Sequence, residues 1–159
     1  MSEPKLEVYV PASEPAVLLG EVWAQPTEIE AQVTVSCDSE IVYARRQGRS
    51  LAERMGFSTS DATLVATAIS ELARNIIHYA GRGEILLGRV HDKGMDGLAV
   101  IARDRGPGIA DVQLATRDGY STSGGLGLGL PGVRRIMDEF AIDSDVGHGT
   151  TVTTVKWKR

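Results

Sequence analysis

Four short motifs follow one another in a fixed order along this chain, and they constrain its fold more than any other feature. Glu71 and Asn75 come first, and the turn Asp104–Gly108 follows them. A glycine cluster, Gly124–Gly129, comes third, and a final Gly-His-Gly-Thr ends at Thr150. Each motif supplies either a polar side chain or backbone without side chains, and a few placed polar groups of this kind are typical of a small-molecule binding site.

Length and composition bound the class of protein. The chain has 159 residues, 42% hydrophobic and 24% charged, which is typical of one soluble globular domain. Its single cysteine, Cys37, excludes an internal disulfide and favours a reducing, cytoplasmic location. The N-terminus does not resemble a secretory signal, and no apolar run approaches the roughly 20 residues that cross a bilayer. The net charge of -4 argues against nucleic acid as a partner, and the short apolar runs argue against a membrane.

Hydrophobic periodicity predicts regular structure from residue 31 onward. Strands are expected at 31–35, 84–90, 98–104, 140–145 and 150–157, and helices at about 38–55, 60–80 and 130–139. This order predicts an α+β fold, an α/β sandwich in which a mixed β-sheet is covered on one face by helices. Residues 1–30 hold four of the six prolines, so we expect a partly ordered N-terminal extension before a single domain over 31–159.

Glu71 and Asn75 lie four residues apart in a predicted helix, so both side chains point to one side of it. An amide oxygen suits the hard Mg²⁺ ion, and a carboxylate one turn earlier can accept a proton from an incoming hydroxyl. Asn75 is also the sole asparagine of the chain. Taken alone, however, this spacing is more typical of a solvated pair on a helix surface.

Asp104 ends a predicted strand and begins the turn Arg-Gly-Pro-Gly-Ile. Its carboxylate can accept a hydrogen bond from the exocyclic amine of adenine, while Gly106 and Gly108 leave room beside a flat ring. A plain turn is the alternative interpretation, because aspartate, glycine and proline are the residues that turns prefer.

The glycine cluster precedes a predicted helix. Gly127, Gly129 and Gly132 have the spacing of a dinucleotide-binding fingerprint, but the residues before them are polar and turn-like instead of forming a buried strand. Backbone amides of such a loop, leading into a helix N-terminus, can surround phosphate oxygens. We therefore predict a phosphate-binding loop.

In this order the four motifs resemble the N box and the three glycine boxes of the GHKL ATPases, a superfamily that includes gyrase, sensor histidine kinases and the mismatch-repair protein MutL. The resemblance covers about residues 31–159 and implies a Bergerat-type ATP-binding fold. Longer strings are similar to the RsbT-type serine/threonine kinases of bacterial stress-response switching. These strings are TAISELARNIIHYAGRGEI, DGYSTSGGLGLGLPGVRRIMDEF and TTVTTVKWKR.

The resemblance implies a role for each matching residue. Glu71 would be the catalytic base, Asn75 would ligate Mg²⁺, and Asp104 would bind adenine with support from Thr150. The glycines implied to shape the adenine pocket or surround the phosphates of ATP are Gly106, Gly108, Gly124, Gly125, Gly127 and Gly129. Residues 109–126 would form a lid over bound nucleotide. Arg74, Arg103 and Arg105 are candidate arginine fingers only by sequence proximity, and surface solvation is the simpler interpretation.

The implied function is Mg-ATP-dependent phosphorylation of a serine or threonine on a STAS-domain partner protein in a stressosome or related partner-switching pathway. A released kinase of this branch can also activate a PP2C-type phosphatase. Two alternatives stay open at this point. The chain could be an anti-sigma factor or phosphatase-activating module that uses ATP only as a conformational ligand, or a bare ATPase. A complete sensor histidine kinase is excluded, because no histidine is placed like its phosphoacceptor.

Overall fold

The computed structural model describes residues 6–7, 28–107 and 129–159. Within these ranges the strands are β1 Leu6–Glu7, β2 Glu28–Val35, β3 Gly83–Asp92, β4 Met95–Asp104, β5 Glu139–Asp145 and β6 Gly149–Trp157. The helices are α1 Asp38–Arg54, α2 Thr59–Ala80 and α3 Gly129–Ile136. The strands form one sheet, and the buried side chains of all three helices pack against one of its faces.

The sheet has the order β1-β5-β6-β4-β3-β2. Every pairing among the described strands is antiparallel, so the predicted α+β class is confirmed but the expectation of a mixed sheet was wrong. The reason lies between β2 and β3. Two helices in succession bring the chain back to the end of the sheet where β2 finished, and β3 therefore runs antiparallel to β2.

Helix α2 begins and ends where local chemistry dictates. The hydroxyl of Ser58 accepts a hydrogen bond from the backbone N–H of Asp61 at 3.1 Å, which caps the N-terminus. Gly81 ends the helix with a φ of 78°, a conformation that costs glycine little. Between these ends, apolar side chains recur at helical spacing and are buried against the sheet, among them Val65, Ile69 and Leu72.

Close packing joins α1 to α2. A Cβ atom at Gly48 would lie only 2.0 Å from Cδ1 of Ile69, so the absence of a side chain at Gly48 lets the two helices approach. Leu51 and Ala44, on the same side of α1, are also fully or almost fully buried. This contact fixes α2, the helix that carries Glu71 and Asn75, over the middle of the sheet.

The elements predicted from residue 31 onward agree with the observed ones within three residues at each end, whereas β1 and the start of β2 lie in the predicted N-terminal extension. One of these differences is informative. Helix α3 ends at Ile136, although the pattern predicts a helix to residue 139. Asp138 instead binds strand β6 just before β5 begins, because its N–H donates to the carbonyl of Val155 at 2.9 Å and its carboxylate accepts from the N–H of Trp157 at 2.7 Å. The predicted lid over 109–126 and most of the predicted N-terminal extension lie outside the described residues.

None of the helices in the described ranges combines the length and the apolar character that a membrane crossing requires.

Candidate functional site

Glu71 lies in the buried half of α2, with only 7% of its surface exposed. Both of its carboxylate oxygens have partners. Nη1 of Arg74 donates to Oε1 at 2.6 Å, and the backbone N–H of Gly129 donates to Oε2 at 3.2 Å. A buried carboxylate with two charge-assisted or backbone hydrogen bonds has a fixed orientation, and each oxygen keeps a lone pair with which it can accept a further proton.

Gly129 is the first residue of α3, so its N–H belongs to the positive end of the helix dipole. Its φ of 64° is the left-handed conformation that favours glycine. The Glu71 carboxylate therefore lies at a helix N-terminus, the kind of place beside which proteins commonly hold an anion such as phosphate. This contact joins the predicted catalytic residue to the last glycine of the predicted phosphate loop.

Asn75 is half-buried one turn further along the same face of α2 as Glu71. Its amide oxygen is a hard ligand of the kind that Mg²⁺ accepts. No group of three His, Cys, Asp or Glu side chains within the described ranges could hold a metal by itself. A single amide oxygen fits a Mg²⁺ ion that takes one ligand from the protein and its other ligands from water molecules and nucleotide phosphates.

Asp104 ends β4 and is half-buried. Its Oδ1 accepts a hydrogen bond from the N–H of Gly106 at 2.8 Å, and the N–H of Thr150 also donates to this carboxylate. Desolvation raises the pKa of Asp104 above its ordinary value of 3.8, and the two backbone hydrogen bonds offset only part of that rise. The carboxylate keeps further lone pairs with which it can accept a hydrogen bond from a ligand amine.

Thr150 stands directly opposite Asp104 in the pairing of β4 with β6. Its hydroxyl lies 2.8 Å from the hydroxyl of Ser144 on β5. The residue before it, Gly149, has a φ of 94°, and a Cβ there would lie 2.1 Å from the backbone oxygen of Asp104. The close approach of the β5–β6 hairpin to the end of β4 thus requires glycine at 149 and holds Thr150 beside Asp104.

Helix α2 connects the two ends of the site. Glu71 meets α3 at one end, and at the other Ala80 packs against Gly106, where a Cβ would lie 2.6 Å from the Ala80 Cβ. The nine-residue step from Glu71 to Ala80 rises about 14 Å along a helix. A ligand that reaches both the helix N-terminus at Gly129 and the carboxylate of Asp104 must therefore be elongated and carry an anionic end.

The described structure brings together Glu71 with Gly129 and Asp104 with Gly106 and Thr150. Gly106 contacts Ala80 of the protein, so the space that a side chain at this position would fill is already occupied. The other glycines predicted for the site, Gly108, Gly124, Gly125 and Gly127, lie outside the described residues.

The contacts of the arginine side chains near the site were not predicted from the sequence. Arg74 is 56% exposed, in keeping with a solvated residue, yet it pairs with buried Glu71. Its position three residues after Glu71 on a helix is the signal that indicates this contact. Arg103 points elsewhere and pairs with Glu84 at 2.6 Å.

The chain is similar to known proteins over most of its length. The histidine kinase-like ATPase domain family matches residues 35–156. The chain is 52% identical over 127 residues to the serine/threonine-protein kinase RsbT of Bacillus subtilis, covering 80% of this chain and 96% of that protein. It is 29% identical over 132 residues to the anti-sigma F factor of Geobacillus stearothermophilus, covering 79% and 88%.

A solved structure supports the fold. The SiaB–SiaC complex of Pseudomonas aeruginosa contains a chain that superimposes with a TM-score of 0.54 at 14% identity, covering 91% of this chain and 99% of that one. The chain therefore belongs to the histidine kinase-like ATPase domain family, and within that family to the branch of RsbT-type serine/threonine-protein kinases.

Proposed function

We propose that this protein transfers the γ-phosphoryl group of Mg·ATP to a serine or threonine of a STAS-domain partner protein. The observation that carries the proposal is the contact between Glu71 and the N-terminus of α3, because it puts a buried carboxylate beside the place where phosphates bind. The similarity to RsbT over nearly the whole of that kinase supports it.

In this proposal each residue has a definite task. Asp104 accepts the hydrogen bond of the adenine amine, with the N–H of Thr150 holding its carboxylate in place. Asn75 would hold Mg²⁺, which supplies neutralisation of phosphate charge. Glu71, oriented by Arg74, accepts the proton of the attacking hydroxyl. Gly106 and Gly108 belong to the adenine end, and Gly124, Gly125, Gly127 and Gly129 to the phosphate end.

The biological setting is part of the same proposal. A kinase of this branch would work in the cytoplasm, within a stressosome or related partner-switching pathway, as a single domain over residues 31–159. After release from its STAS-domain partner it would activate a PP2C-type phosphatase.

The decisive experiment is transfer of labelled γ-phosphate from Mg·ATP to STAS-domain proteins of the same organism. Glu71→Gln keeps the size of the side chain and removes the base, so we expect transfer to fall by about 10²-fold or more while ATP still binds. Asn75→Ala should abolish transfer and weaken Mg-dependent nucleotide binding.

Glu53→Gln is the matched control, because it removes an equally charged glutamate from the exposed surface of α1. Transfer should be unchanged in this variant. Labelled serine or threonine that persists in Glu71→Gln at the native rate would contradict the role of Glu71.

A second candidate function is favoured by the similarity to an anti-sigma F factor. In that case the protein binds a sigma factor or a phosphatase, and ATP acts only as a conformational ligand. ATP binding without transfer to any STAS-domain protein, together with nucleotide-dependent capture of a sigma factor, would favour this function over the kinase.

A further inference from the structure

Three polar side chains form a row across the sheet at the end of the site proposed to bind adenine, and we call them the polar row. The row consists of Asp104 on β4, Thr150 on β6 and Ser144 on β5. Strand register places Thr150 directly opposite each of the other two. The sequence motifs account for Asp104 and Thr150, whereas Ser144 belongs to none of them.

The polar row lies on the face of the sheet that the helices cover. Two residues further into each strand, the register partners belong to the hydrophobic core, and they are Ala102, Val152 and Ile142. Because residues two apart on a strand point to the same face, the polar row continues this layer outward. Opposite residues of an antiparallel pair have Cβ atoms about 5 Å apart. A ligand group held by Asp104 is therefore also within reach of the Thr150 hydroxyl.

The hydrogen bonds between Ser144 and its neighbours on β6 have one direction. The Ser144 hydroxyl donates to the backbone carbonyl of Gly149 at 3.3 Å, and a carbonyl oxygen can only accept. Because a hydroxyl has a single proton, Ser144 then has none to offer to Thr150. The 2.8 Å contact between the two hydroxyls thus requires Thr150 to donate. The oxygen of Thr150 is left with only lone pairs for a ligand.

Asp104 presents the same chemistry to a ligand. Its carboxylate accepts hydrogen bonds from the N–H groups of Gly106 and Thr150, and in its ionised form it has only lone pairs to offer. Two neighbouring acceptors suit a group that carries two protons, such as the exocyclic amine of a 6-aminopurine. A 6-oxopurine would instead put a carbonyl oxygen beside two acceptors, and none of the three would gain a partner.

We propose that Ser144 is a positioning residue that fixes the direction of the Thr150 hydroxyl, and that it thereby makes the site select adenine over purines with an oxygen at position 6. Without Ser144 the Thr150 hydroxyl can rotate and donate to such an oxygen. The inference rests on the proposed function, because it takes the polar row as part of an adenine site. It extends that function by naming a determinant of nucleotide choice outside the four motifs.

Competition binding of Mg·ATP and Mg·ITP measures this selectivity, because inosine triphosphate has an oxygen in place of the 6-amino group. We expect the native protein to bind ATP about 100-fold more tightly than ITP. Ser144→Ala should reduce this ratio by about tenfold, mainly because ITP gains a hydrogen bond from Thr150. The affinity for ATP should change little, since the rotated hydroxyl can still accept from the amine.

Two controls separate positioning from a general effect on the fold. Thr154→Val removes another hydroxyl of β6, which donates to the carbonyl of Val100 at 3.0 Å four residues beyond Thr150. This variant should be less stable but should keep the native ratio of ATP to ITP affinity. Thr150→Val removes the group through which Ser144 acts, so adding Ser144→Ala to it should not change the ratio further.

Neutron diffraction from crystals of the deuterated native protein tests the hydroxyl directions without any variant. Deuterons are expected between Ser144 and the Gly149 carbonyl and between Thr150 and Ser144. A Ser144 deuteron directed at Thr150 would overturn the proposal, and so would a native ratio in Ser144→Ala or an equal change of the ratio in Thr154→Val. If Asp104→Asn binds ATP as tightly as the native protein, the adenine site itself is wrong and the role of Ser144 is overturned together with it.

Discussion

Two opposing effects act on the charge of the Asp104 carboxylate. Partial burial disfavours its charge, and the backbone N–H groups of Gly106 and Thr150 recover only part of that cost, so the pKa is raised. A ligand amine would supply a further hydrogen bond to the charged form. The residue therefore makes the free protein less stable than it could be, which is the usual consequence of building a binding group into a fold.

The substitution Asp104→Asn tests this balance through the pH dependence of the free energy of unfolding. Because the folded-state pKa is raised, native Asp104 contributes stability that is fully present below pH 3.8 and is lost as the pH rises through the folded-state pKa. Asparagine does not titrate. The difference in unfolding free energy, variant minus native, should therefore increase with pH over this interval, as measured by urea denaturation across a pH series. A constant difference would mean that the pKa of Asp104 is the same in the folded and the unfolded protein, and would contradict the raised pKa.

At the scale of elements, helix α3 is held at both ends by buried charged groups. Gly129 at its N-terminus donates to Glu71. At its C-terminus, Nζ of Lys156 donates to the carbonyl of Ile136 at 2.8 Å, and it lies 3.6 Å from Asp138, which also pairs with Arg159. A cation that binds the last carbonyls of a helix stabilises it and complements its dipole. The helix that begins at the predicted phosphate site is thus fastened to β6.

Lys156→Met should weaken this attachment. Methionine keeps the apolar length of the buried side chain but leaves the carbonyl of Ile136 without its donor, and we expect a loss of about 1–3 kcal/mol in the free energy of unfolding. Urea denaturation measures the loss. Lys158→Met changes an exposed lysine two residues away and should stay within about 0.5 kcal/mol of the native protein. Equal effects from the two substitutions would show that the contact to α3 contributes nothing.

Sequence patterns predicted the helices and strands well because the apolar residues of α2 repeat at helical spacing up to Gly81, and because β3 and β4 contain short continuous apolar runs bounded by polar residues. They did not predict the antiparallel course of every described strand, which depends on two helices packing as a hairpin between β2 and β3. The early end of α3 was also missed, since Asp138 is drawn into contact with Val155 and Trp157, residues distant in sequence.

The roles of the candidate site residues stay predictions. Spacing and chemistry drew attention to Glu71, Asn75 and Asp104, but taken singly they favoured a solvated pair and a plain turn, and only the resemblance of the four motifs to a known family implied a site. The structure adds the contacts of Glu71 and Asp104. The pairing of Glu71 with Gly129 joins residues 58 positions apart, and only the folded chain reveals it. The same holds for Gly106, whose missing side chain makes room for Ala80.

At the scale of the whole molecule, a nucleotide that bridges α3, α2 and the end of β4 should stabilise the entire fold. These elements all contribute to one hydrophobic core, so a ligand that binds only the folded state adds its binding free energy to that of the protein. At 100 times its dissociation constant the gain is about 2.7 kcal/mol. For a domain of this size the melting temperature should rise by roughly 5–10 °C.

Thermal unfolding with Mg·ATP, followed by dye binding or calorimetry, measures this rise. Native protein and Glu71→Gln should both show it, because the proposed function gives Glu71 a role in proton transfer and not in nucleotide binding, whereas Asp104→Asn, which changes the proposed adenine acceptor, should lose most of it. Mg²⁺ without nucleotide should have little effect, because within the described ranges Asn75 has no cluster of acidic or histidine side chains to help it hold the ion. An equal rise in Asp104→Asn would place adenine recognition elsewhere, and a rise with Mg²⁺ alone would require a metal site independent of nucleotide.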